Sequence, residues 1–274
     1  MKKNKGNKFS LSGKTAIVTG ALGLLGRNFC FGLAEEGADI AAVDLNPEEC
    51  ARFALKLKKK YQVKAAGFHC DVADALSVSE MAESVKNKFG RIDILINSAC
   101  YRSQNPKLLH ARFEDYSPEE WQRMMEVNVT GVFLCSQAAG KVMLKQNSGG
   151  SIIQISSIYG LLGTDHRIYK KSDAPGKRTN NPAVYSASKG AVISLTKYLA
   201  SYWADKGIRV NVISPGGVEN KQDKYFIQAY SSRVPMQRMA KAKELVGALI
   251  YLASDASSYV TGQNIIVDGG LSIW

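Results

Sequence analysis

The sequence predicts an α/β protein in which helices cover both faces of a parallel β-sheet. Short, continuous apolar runs alternate along the chain with longer stretches of helical periodicity. Continuous apolar strands are typical of a sheet buried on both faces, and alternation with helices favours parallel strands joined by right-handed crossovers. The 274 residues contain no internal repeat, low-complexity tract or linker, so one doubly wound domain is expected.

Seven apolar runs supply the predicted strands of a seven-stranded parallel sheet. In chain order they are Thr15–Thr19, Asp39–Val43, Ala65–His69, Ile94–Asn97, Ser151–Ile155, Arg209–Ile213 and Asn264–Val267. Helical periodicity marks six stretches between them, namely Leu24–Glu36, Pro47–Lys60, Leu76–Phe89, Pro118–Lys145, Val184–Lys206 and Ala242–Ala253.

The composition is typical of a soluble protein. Hydrophobic residues make up 45% of the chain and charged residues 22%, and no apolar run approaches the roughly 20 residues that a bilayer helix needs. The basic start is not followed by an export segment, so no membrane partner is expected. Five dispersed cysteines without a CxxC pair indicate reduced thiols in the cytoplasm and give no metal-site spacing.

The formal charge of +12 raises the question of nucleic-acid binding. Four lysines lie in residues 1–10, which are expected to form a basic tail, and others cluster at the exposed end of one predicted helix. No zinc-finger spacing or aromatic RNA-binding signature accompanies them. Solvated basic faces are therefore favoured over a nucleic-acid site, and an anionic small-molecule substrate is left open.

A glycine-rich turn follows the first strand and opens the first helix, with the sequence Thr19-Gly20-Ala21-Leu22-Gly23-Leu24-Leu25-Gly26. Such a turn brings a helix N-terminus to a pyrophosphate, although structural turns also use glycine. Asp44 ends the second strand 24 residues after Gly20. A carboxylate there accepts from ribose hydroxyls and repels a 2′-phosphate, so NAD is the predicted cofactor and NADP is less favoured.

Tyr185 and Lys189 lie four positions apart and share one face of a predicted helix. A neighbouring ammonium lowers the pKa of a phenol, which would let Tyr185 exchange protons nearer neutral pH. An exposed helix pair is the alternative interpretation. The position of the pair after the fifth strand, together with the nearby Ser156-Ser157, favours chemistry.

A series of further motifs in fixed order resembles the short-chain dehydrogenase/reductase family from about Leu11 to the end of the chain. The motifs are Cys70-Asp71-Val72, Asn97-Ser98-Ala99-Cys100, Val127-Asn128-Val129, Ser151–Ser157, Tyr185–Lys189, Pro215–Val218, Thr261-Gly262 and Val267–Gly270. The resemblance implies a Rossmann fold and an NAD(P)-dependent oxidoreductase that interconverts a secondary alcohol and a ketone.

The resemblance also implies residue roles by position. Tyr185 would transfer the substrate proton, Ser157 would bind the substrate oxygen, Lys189 would bind the nicotinamide ribose, and Asn128 would hold a relay water. The implied cofactor-binding residues are Gly20, Gly23, Leu25, Gly26, Asp44, Leu45, Asp71, Val72, Asn97, Ala99, Tyr185, Lys189, Pro215, Gly216, Val218 and Asn220. A homo-oligomer, tetramer or dimer, is implied as well, with Pro118–Lys145 and Val184–Lys206 across an interface.

The chain departs from the family pattern at three positions. Leu24 stands where the branch with the same Tyr185–Lys189 signature usually has glycine, which leaves open which amides contact the pyrophosphate. Cys100 replaces a glycine near the substrate mouth, and Asn220 replaces a threonine that usually meets the carboxamide.

The largest departure is an insertion at about residues 158–184, because 28 positions separate Ser157 from Tyr185, about twice the family spacing. It resembles insertions in oxidoreductases of flagellin-modification and legionaminic-type sugar pathways. With five basic and two acidic side chains, it suits a substrate-binding role and equally a surface loop or subunit contact. Arg167 is predicted to grip an anionic substrate group, so the expected substrate residues are Ser157, Tyr159, Arg167 and Tyr185.

The sequence therefore predicts a polar or anionic, sugar-like substrate. A ketoacyl carrier-protein reductase using NADPH is the second interpretation, and Asp44 argues against its usual cofactor. A non-catalytic Rossmann-fold binding protein would have a damaged catalytic set, whereas Asn128, Ser157, Tyr185 and Lys189 are intact.

Overall fold

Seven strands form one parallel sheet in the computed structural model, which describes residues 6–103, 105, 108, 111–169 and 180–274. The strands are β1 (Thr15–Thr19), β2 (Asp39–Asp44), β3 (Ala65–His69), β4 (Ile94–Asn97), β5 (Gly150–Ile155), β6 (Ile208–Pro215) and β7 (Asn264–Val267). Their order across the sheet is β3-β2-β1-β4-β5-β6-β7, and each pairing is parallel. The predicted seven-stranded parallel sheet is confirmed.

Helices connect the strands and cover both faces of the sheet. They are α1 (Leu24–Glu35), α2 (Pro47–Tyr61), α3 (Ala75–Phe89), α4 (Pro118–Met125), α5 (Gly131–Gln146), α6 (Ala183–Trp203), α7 (Lys224–Ser231) and α8 (Val246–Ala253). Polar N-caps begin several of them: Asn46 accepts from the Glu49 amide, and Asp223 accepts from the Phe226 amide. Helix α7 lies where the sequence pattern predicts none.

The two faces of the sheet form two separate apolar cores, because successive strand residues point to opposite sides. Val18 of β1 packs in the core that α1, α2 and α8 cover, whereas its neighbour Ile17 packs with α3, α5 and α6. Both residues are fully buried. Burial on both faces explains why the strands are continuous apolar runs rather than alternating ones.

Helices α4 and α5 are joined by a π-helical turn, Glu126–Thr130, into one long helix, Pro118–Gln146. By length and composition alone this helix is apolar enough to cross a membrane. Its buried residues Cys135, Ala139 and Met143 belong to the core beneath the sheet, as in the core helix of a soluble protein.

The predicted basic tail, residues 1–10, is held on the body of the protein at its inner end. The Lys8 carbonyl accepts a hydrogen bond from the Ala256 amide at 3.1 Å, and Leu11 is fully buried. Residues 1–5 lie outside the described part of the chain.

Candidate active site

A large cleft lies at the carboxyl ends of the strands, where the strand order reverses between β1 and β4. Open parallel sheets bind ligands at this switch point. The cleft has a volume of about 1310 Å³, more than the ~300–1,000 Å³ typical of small-ligand pockets, so it has room for a dinucleotide and a substrate. Of the predicted cofactor residues, it is lined by Gly20, Gly23, Leu25, Gly26, Asp44, Leu45, Asp71, Val72, Ala99, Tyr185, Lys189, Pro215, Gly216, Val218 and Asn220.

The glycine turn forms one end of the cleft. Gly20 has a φ of +64°, and a Cβ there would lie 2.8 Å from the Ala99 Cα, so only glycine fits. A Cβ at Gly26 would lie 2.1 Å from the Gly20 carbonyl oxygen, so α1 begins in direct contact with the turn. The first turn of α1, described in full, has neither an acidic side chain nor a side-chain cap. Its amides and positive dipole end can therefore serve an anion.

Asp44 is fixed beside this turn by two backbone amides. Its carboxylate oxygens accept from the Leu22 amide at 2.9 Å and from its own neighbour, the Leu45 amide, at 2.8 Å. Arg27, the cation of α1, is turned away to Glu49 and to the face of the Phe53 ring. The part of this end that the structure describes thus presents a carboxylate without a cation paired to it.

Tyr185, Ser157 and Lys189 come together on the opposite wall. Tyr185 and Lys189 lie in the first two turns of α6, and Ser157 follows β5. The Ser157 hydroxyl lies near enough to the Tyr185 phenol to lower the pKa of that phenol. The Lys189 ammonium donates to the Ile155 carbonyl at 2.8 Å and lies 5.7 Å from the centre of the Tyr185 ring.

Burial is the main influence on the proton affinity of Tyr185. Desolvation raises the pKa of its phenol, a nearby Cys100 thiolate would raise it further, and the neighbouring Ser157 hydroxyl lowers it. The expectation that the Lys189 ammonium would lower this pKa below its ordinary value is therefore wrong for the structure, since desolvation outweighs it. Tyr185 is a neutral acid at neutral pH.

Asn128 lies in the π-helical turn, behind the cleft rather than on its lining, and is 1% exposed. Its side-chain oxygen accepts from the Tyr101 amide at 2.9 Å, and its amide nitrogen donates to Ser188 at 3.1 Å. Ser188 in turn donates to the Tyr185 carbonyl at 2.8 Å. Asn128 thus ties the substrate-side segment at Tyr101 to the turn of helix that holds Tyr185. π-Turns often occur at functional sites.

The side chain of Asn97 is bound inside the protein, which corrects its expected place among the cleft-lining residues. It is 3% exposed and donates to Gln154 at 2.7 Å and to Ser136 at 3.1 Å. Asn97 ends β4, and the alternation of strand side chains sends it toward α5 rather than toward the cleft.

Arg167 also does not lie where it was predicted. Its side chain is 75% exposed and forms two hydrogen bonds with the Asp165 carboxylate, and it is not among the residues that line the cleft. The neighbouring carboxylate gives the guanidinium a partner at the surface, and the same turn buries Ile168 instead. Lys170, Lys171, Lys177, Arg178 and Asp173 lie outside the described residues.

Several residues that line the cleft were not identified from the sequence, because they lie in segments without a chemical motif. From the segment after β4 and from α4 come Tyr101, Arg102, Glu120 and Arg123; from the insertion and from α7 come Tyr169, Asn181, Phe226 and Tyr230. The amphipathic spacing of Phe226 and Tyr230, four positions apart, is the signal that could have identified α7.

The residues of the cleft fit a nicotinamide dinucleotide. The glycine turn leaves no room for a side chain where a pyrophosphate would approach α1, Asp44 is hydrogen-bonded to that turn, and Tyr185 and Lys189 line the same cleft. Among the described residues there is no cluster of three or more potential metal ligands.

Comparisons with known proteins agree with this geometry. A family model described as enoyl-(acyl carrier protein) reductase matches residues 20–272. The D-threitol dehydrogenase of Mycolicibacterium smegmatis is 36% identical over 270 residues, which are 97% of this chain and 95% of that protein. The 3-oxoacyl-[acyl-carrier-protein] reductase of Thermotoga maritima is 35% identical over 267 residues, 96% of this chain and 99% of that one.

Solved structures give the same result. A short-chain type dehydrogenase/reductase from Mycobacterium marinum has a TM-score of 0.84 at 33% identity, covering 97% of both chains. A gluconate 5-dehydrogenase from Burkholderia cenocepacia in complex with NADP and tartrate has a TM-score of 0.86 at 33% identity, covering 97% of this chain and 98% of that one. An NAD⁺-bound xylitol dehydrogenase has a TM-score of 0.82 at 32% identity, covering 94% and 99%. The chain therefore belongs to the short-chain dehydrogenase/reductase family of NAD(P)-dependent oxidoreductases.

Proposed function

We propose that this enzyme interconverts sugar alcohols and the corresponding ketoses, with NAD as its cofactor. The observation that carries the proposal is that Ser157 and Tyr185 line the cleft side by side, in a chamber lined with further polar groups. Tyr159, Tyr169 and Asn181 contribute hydroxyl and amide groups to that chamber. Polyol and sugar-acid dehydrogenases among the relatives support this substrate class.

The proposed mechanism assigns one task to each residue. A bound nicotinamide supplies the hydride acceptor or donor. Tyr185 takes the hydroxyl proton of the alcohol during oxidation and returns it during reduction, while Ser157 holds the reacting oxygen. Lys189, anchored on the Ile155 carbonyl, stabilises the phenolate form of Tyr185. Asn128 positions Tyr185 through Ser188.

The preference for NAD rests on Asp44. Its fixed carboxylate would accept from the ribose hydroxyls of NAD and would repel the 2′-phosphate of NADP. The described relatives include structures with each of the two cofactors, so steady-state kinetics must decide. A higher kcat/KM with NAD⁺ is the expected result.

A sugar acid remains a candidate substrate, because two arginines line the cleft although Arg167 does not. These are Arg102 and Arg123. The decisive experiment is a screen of possible substrates with NAD⁺ and NADP⁺, in which turnover is measured by NAD(P)H absorbance. The substrates are tetritols, pentitols, hexitols, aldonic acids, sugar phosphates and sugar nucleotides.

The second candidate function is reduction of a ketoacyl carrier protein, which the Thermotoga maritima relative supports. The polar chamber wall argues against it, because an acyl chain offers the Tyr159 hydroxyl no hydrogen-bond partner. The same screen includes acetoacetyl thioester with NADPH. Faster turnover of that thioester than of every polyol or ketose would overturn the proposal.

We propose, in addition, that the enzyme is a cytoplasmic homo-oligomer. All five cysteines are free thiols, as reducing surroundings require. Exposed apolar side chains on α5 and α6, among them Phe133, Leu144, Tyr198 and Tyr202, support an interface formed by these helices. Light scattering of the purified protein measures the subunit number.

A further inference from the structure

Two tyrosines of the insertion, Tyr159 and Tyr169, meet inside the substrate end of the cleft. The Tyr169 hydroxyl donates a hydrogen bond to the Tyr159 hydroxyl at 3.2 Å, and both residues line the cleft with Tyr185. They are ten positions apart in sequence, so the contact is a product of the way in which the insertion folds.

Tyr159 is held firmly beside the catalytic residues. It lies in the short 3₁₀ turn Ile158–Gly160, and its amide donates to the Ser157 hydroxyl at 3.2 Å. A Cβ at Gly160 would lie 2.7 Å from the Lys189 carbonyl carbon, so this turn packs directly on the backbone of α6. Tyr159 therefore has a fixed position relative to the atom at which chemistry occurs.

Tyr169 is held by a second set of contacts, on the opposite side. Its ring lies 5.3 Å from the Phe226 ring, and the adjacent Ile168, 3% exposed, packs in a small apolar cluster with Tyr230 of α7. The Asp165 carboxylate at the start of this turn forms an ion pair with Arg233, which follows α7. The turn that begins at Asp165 and ends at Tyr169 thus forms one wall with α7, and this wall sets where the Tyr169 hydroxyl points.

The pair provides a hydrogen-bond donor at neutral pH. A phenol has one proton and two acceptor positions. Because Tyr169 donates to Tyr159, the Tyr159 proton is left for a ligand, and its oxygen still has an acceptor position. Burial raises the pKa of Tyr169 to about 12 and the pKa of Tyr159 further, so both hydroxyls stay neutral.

We propose that Tyr159, positioned by Tyr169, binds the substrate hydroxyl on the carbon next to the reacting one, so that the enzyme selects vicinal diols over simple secondary alcohols. The proposal rests on the proposed oxidation of polyols. Ser157 and Tyr185 hold the reacting oxygen, and Tyr159 lies two residues beyond Ser157 on the same wall. A buried donor left without a partner is costly, so an alcohol that lacks the second hydroxyl binds less well in the transition state.

The test compares two substrates that differ in one hydroxyl, butane-2,3-diol and butan-2-ol. We expect wild type to favour the diol by about tenfold in kcat/KM, the ratio that ~1.4 kcal/mol of hydrogen bonding gives. Tyr159→Phe should remove most of this ratio by lowering kcat/KM for the diol only. Tyr169→Phe should reduce the ratio in the same direction but less, since Tyr169 is a positioning residue.

Tyr225→Phe is the matched control, because it deletes a phenol hydroxyl from α7 at a position that is 47% exposed and does not line the cleft. It should leave the diol-to-alcohol ratio unchanged. An equal fall for both substrates in Tyr159→Phe, or an unchanged ratio, would overturn the proposal.

A second measurement separates failure of this subsite from failure of the proposed function. If the wild-type enzyme oxidises neither alcohol with either dinucleotide, the proposed function is wrong. Binding at the subsite is then measured as the rise in Tm that xylitol causes in the presence of NADH. Greater protection of wild type than of Tyr159→Phe supports the subsite, and equal protection overturns it.

Discussion

Tyr185 is the residue on which the proposed chemistry depends, and its environment predicts how the rate changes with pH. Burial raises the pKa of the phenol, so the protonated form is the one present at neutral pH. Reduction of a ketone uses that form, whereas oxidation of an alcohol needs the phenolate. The kcat for oxidation should therefore rise with pH through the alkaline range, and the kcat for reduction should fall there.

Tyr185→Phe keeps the ring and deletes the proton-transfer group. Turnover should fall about 10²–10⁴-fold, the usual contribution of such a group, and the oxidation rate should lose its dependence on pH. NADH binding, measured by the fluorescence of NADH, should persist. Turnover near that of wild type would remove Tyr185 from the mechanism.

The sequence predicted that Arg167 binds the substrate, whereas the structure predicts that its loss has little effect on substrate binding. Its side chain is exposed and paired with Asp165, and exposed pairs contribute about 0–1 kcal/mol. Arg167→Ala should leave the KM for the substrate within about twofold of wild type. Arg233→Ala is the informative comparison, because Arg233 joins Asp165 to the wall that α7 forms. A large rise in KM for Arg167→Ala alone would restore the substrate-binding role.

At the scale of elements, the contact between the glycine turn and α1 determines the shape of the cofactor end. A methyl group at Gly26 would meet backbone atoms that cannot move aside, the nearest of them 2.1 Å away. Gly26→Ala should lower the free energy of unfolding by ~1–3 kcal/mol and weaken NADH binding more than tenfold.

Gly247→Ala serves as the control for Gly26→Ala. It adds the same methyl group within helix α8, where no atom lies within 4 Å of the added carbon in the described structure. Its melting temperature should equal or exceed that of wild type, since alanine suits a helix better than glycine. Equal NADH affinity in the two variants would contradict the assigned role of the turn.

At the scale of the whole molecule, cofactor binding should stabilise the fold, because the cleft is built from segments that follow six of the seven strands. A ligand at 100 times its Kd adds about 2.7 kcal/mol, which corresponds to a rise in Tm of roughly 5–10 °C for a protein of this size. At equal concentrations, NAD⁺ should raise the Tm more than NADP⁺ does.

Asp44→Ala tests whether that difference originates at the ribose. The variant should narrow the gap between the two cofactors in both Tm and kcat/KM. A larger shift with NADP⁺ in wild type would show that a cation reaches the 2′-phosphate despite the Asp44 carboxylate.

The sequence by itself determined the class of fold, the seven strands and the family. These follow from local properties: apolar runs buried on both faces, and motifs whose residues are adjacent in the chain, such as the glycine turn and Tyr185–Lys189. For the same reason most of the residues predicted to bind the cofactor line the cleft. Asn97 shows the limit of this reasoning, because membership of a motif does not say to which side of the sheet a side chain turns.

Only the tertiary structure decided what surrounds the substrate. Helix α7 has only eight residues, so the spacing of Phe226 and Tyr230 is a weak signal in the sequence, and its apolar face is recognised by the inserted turn that packs on it. Asp165 forms ion pairs with Arg167 and with Arg233, which is 68 positions away in sequence. These ion pairs keep Arg167 at the surface, so that Tyr169 is the residue that lines the cleft. The proton affinity of Tyr185 was decided in the same way, since desolvation is set by every element packed around the phenol and not by the lysine one turn away.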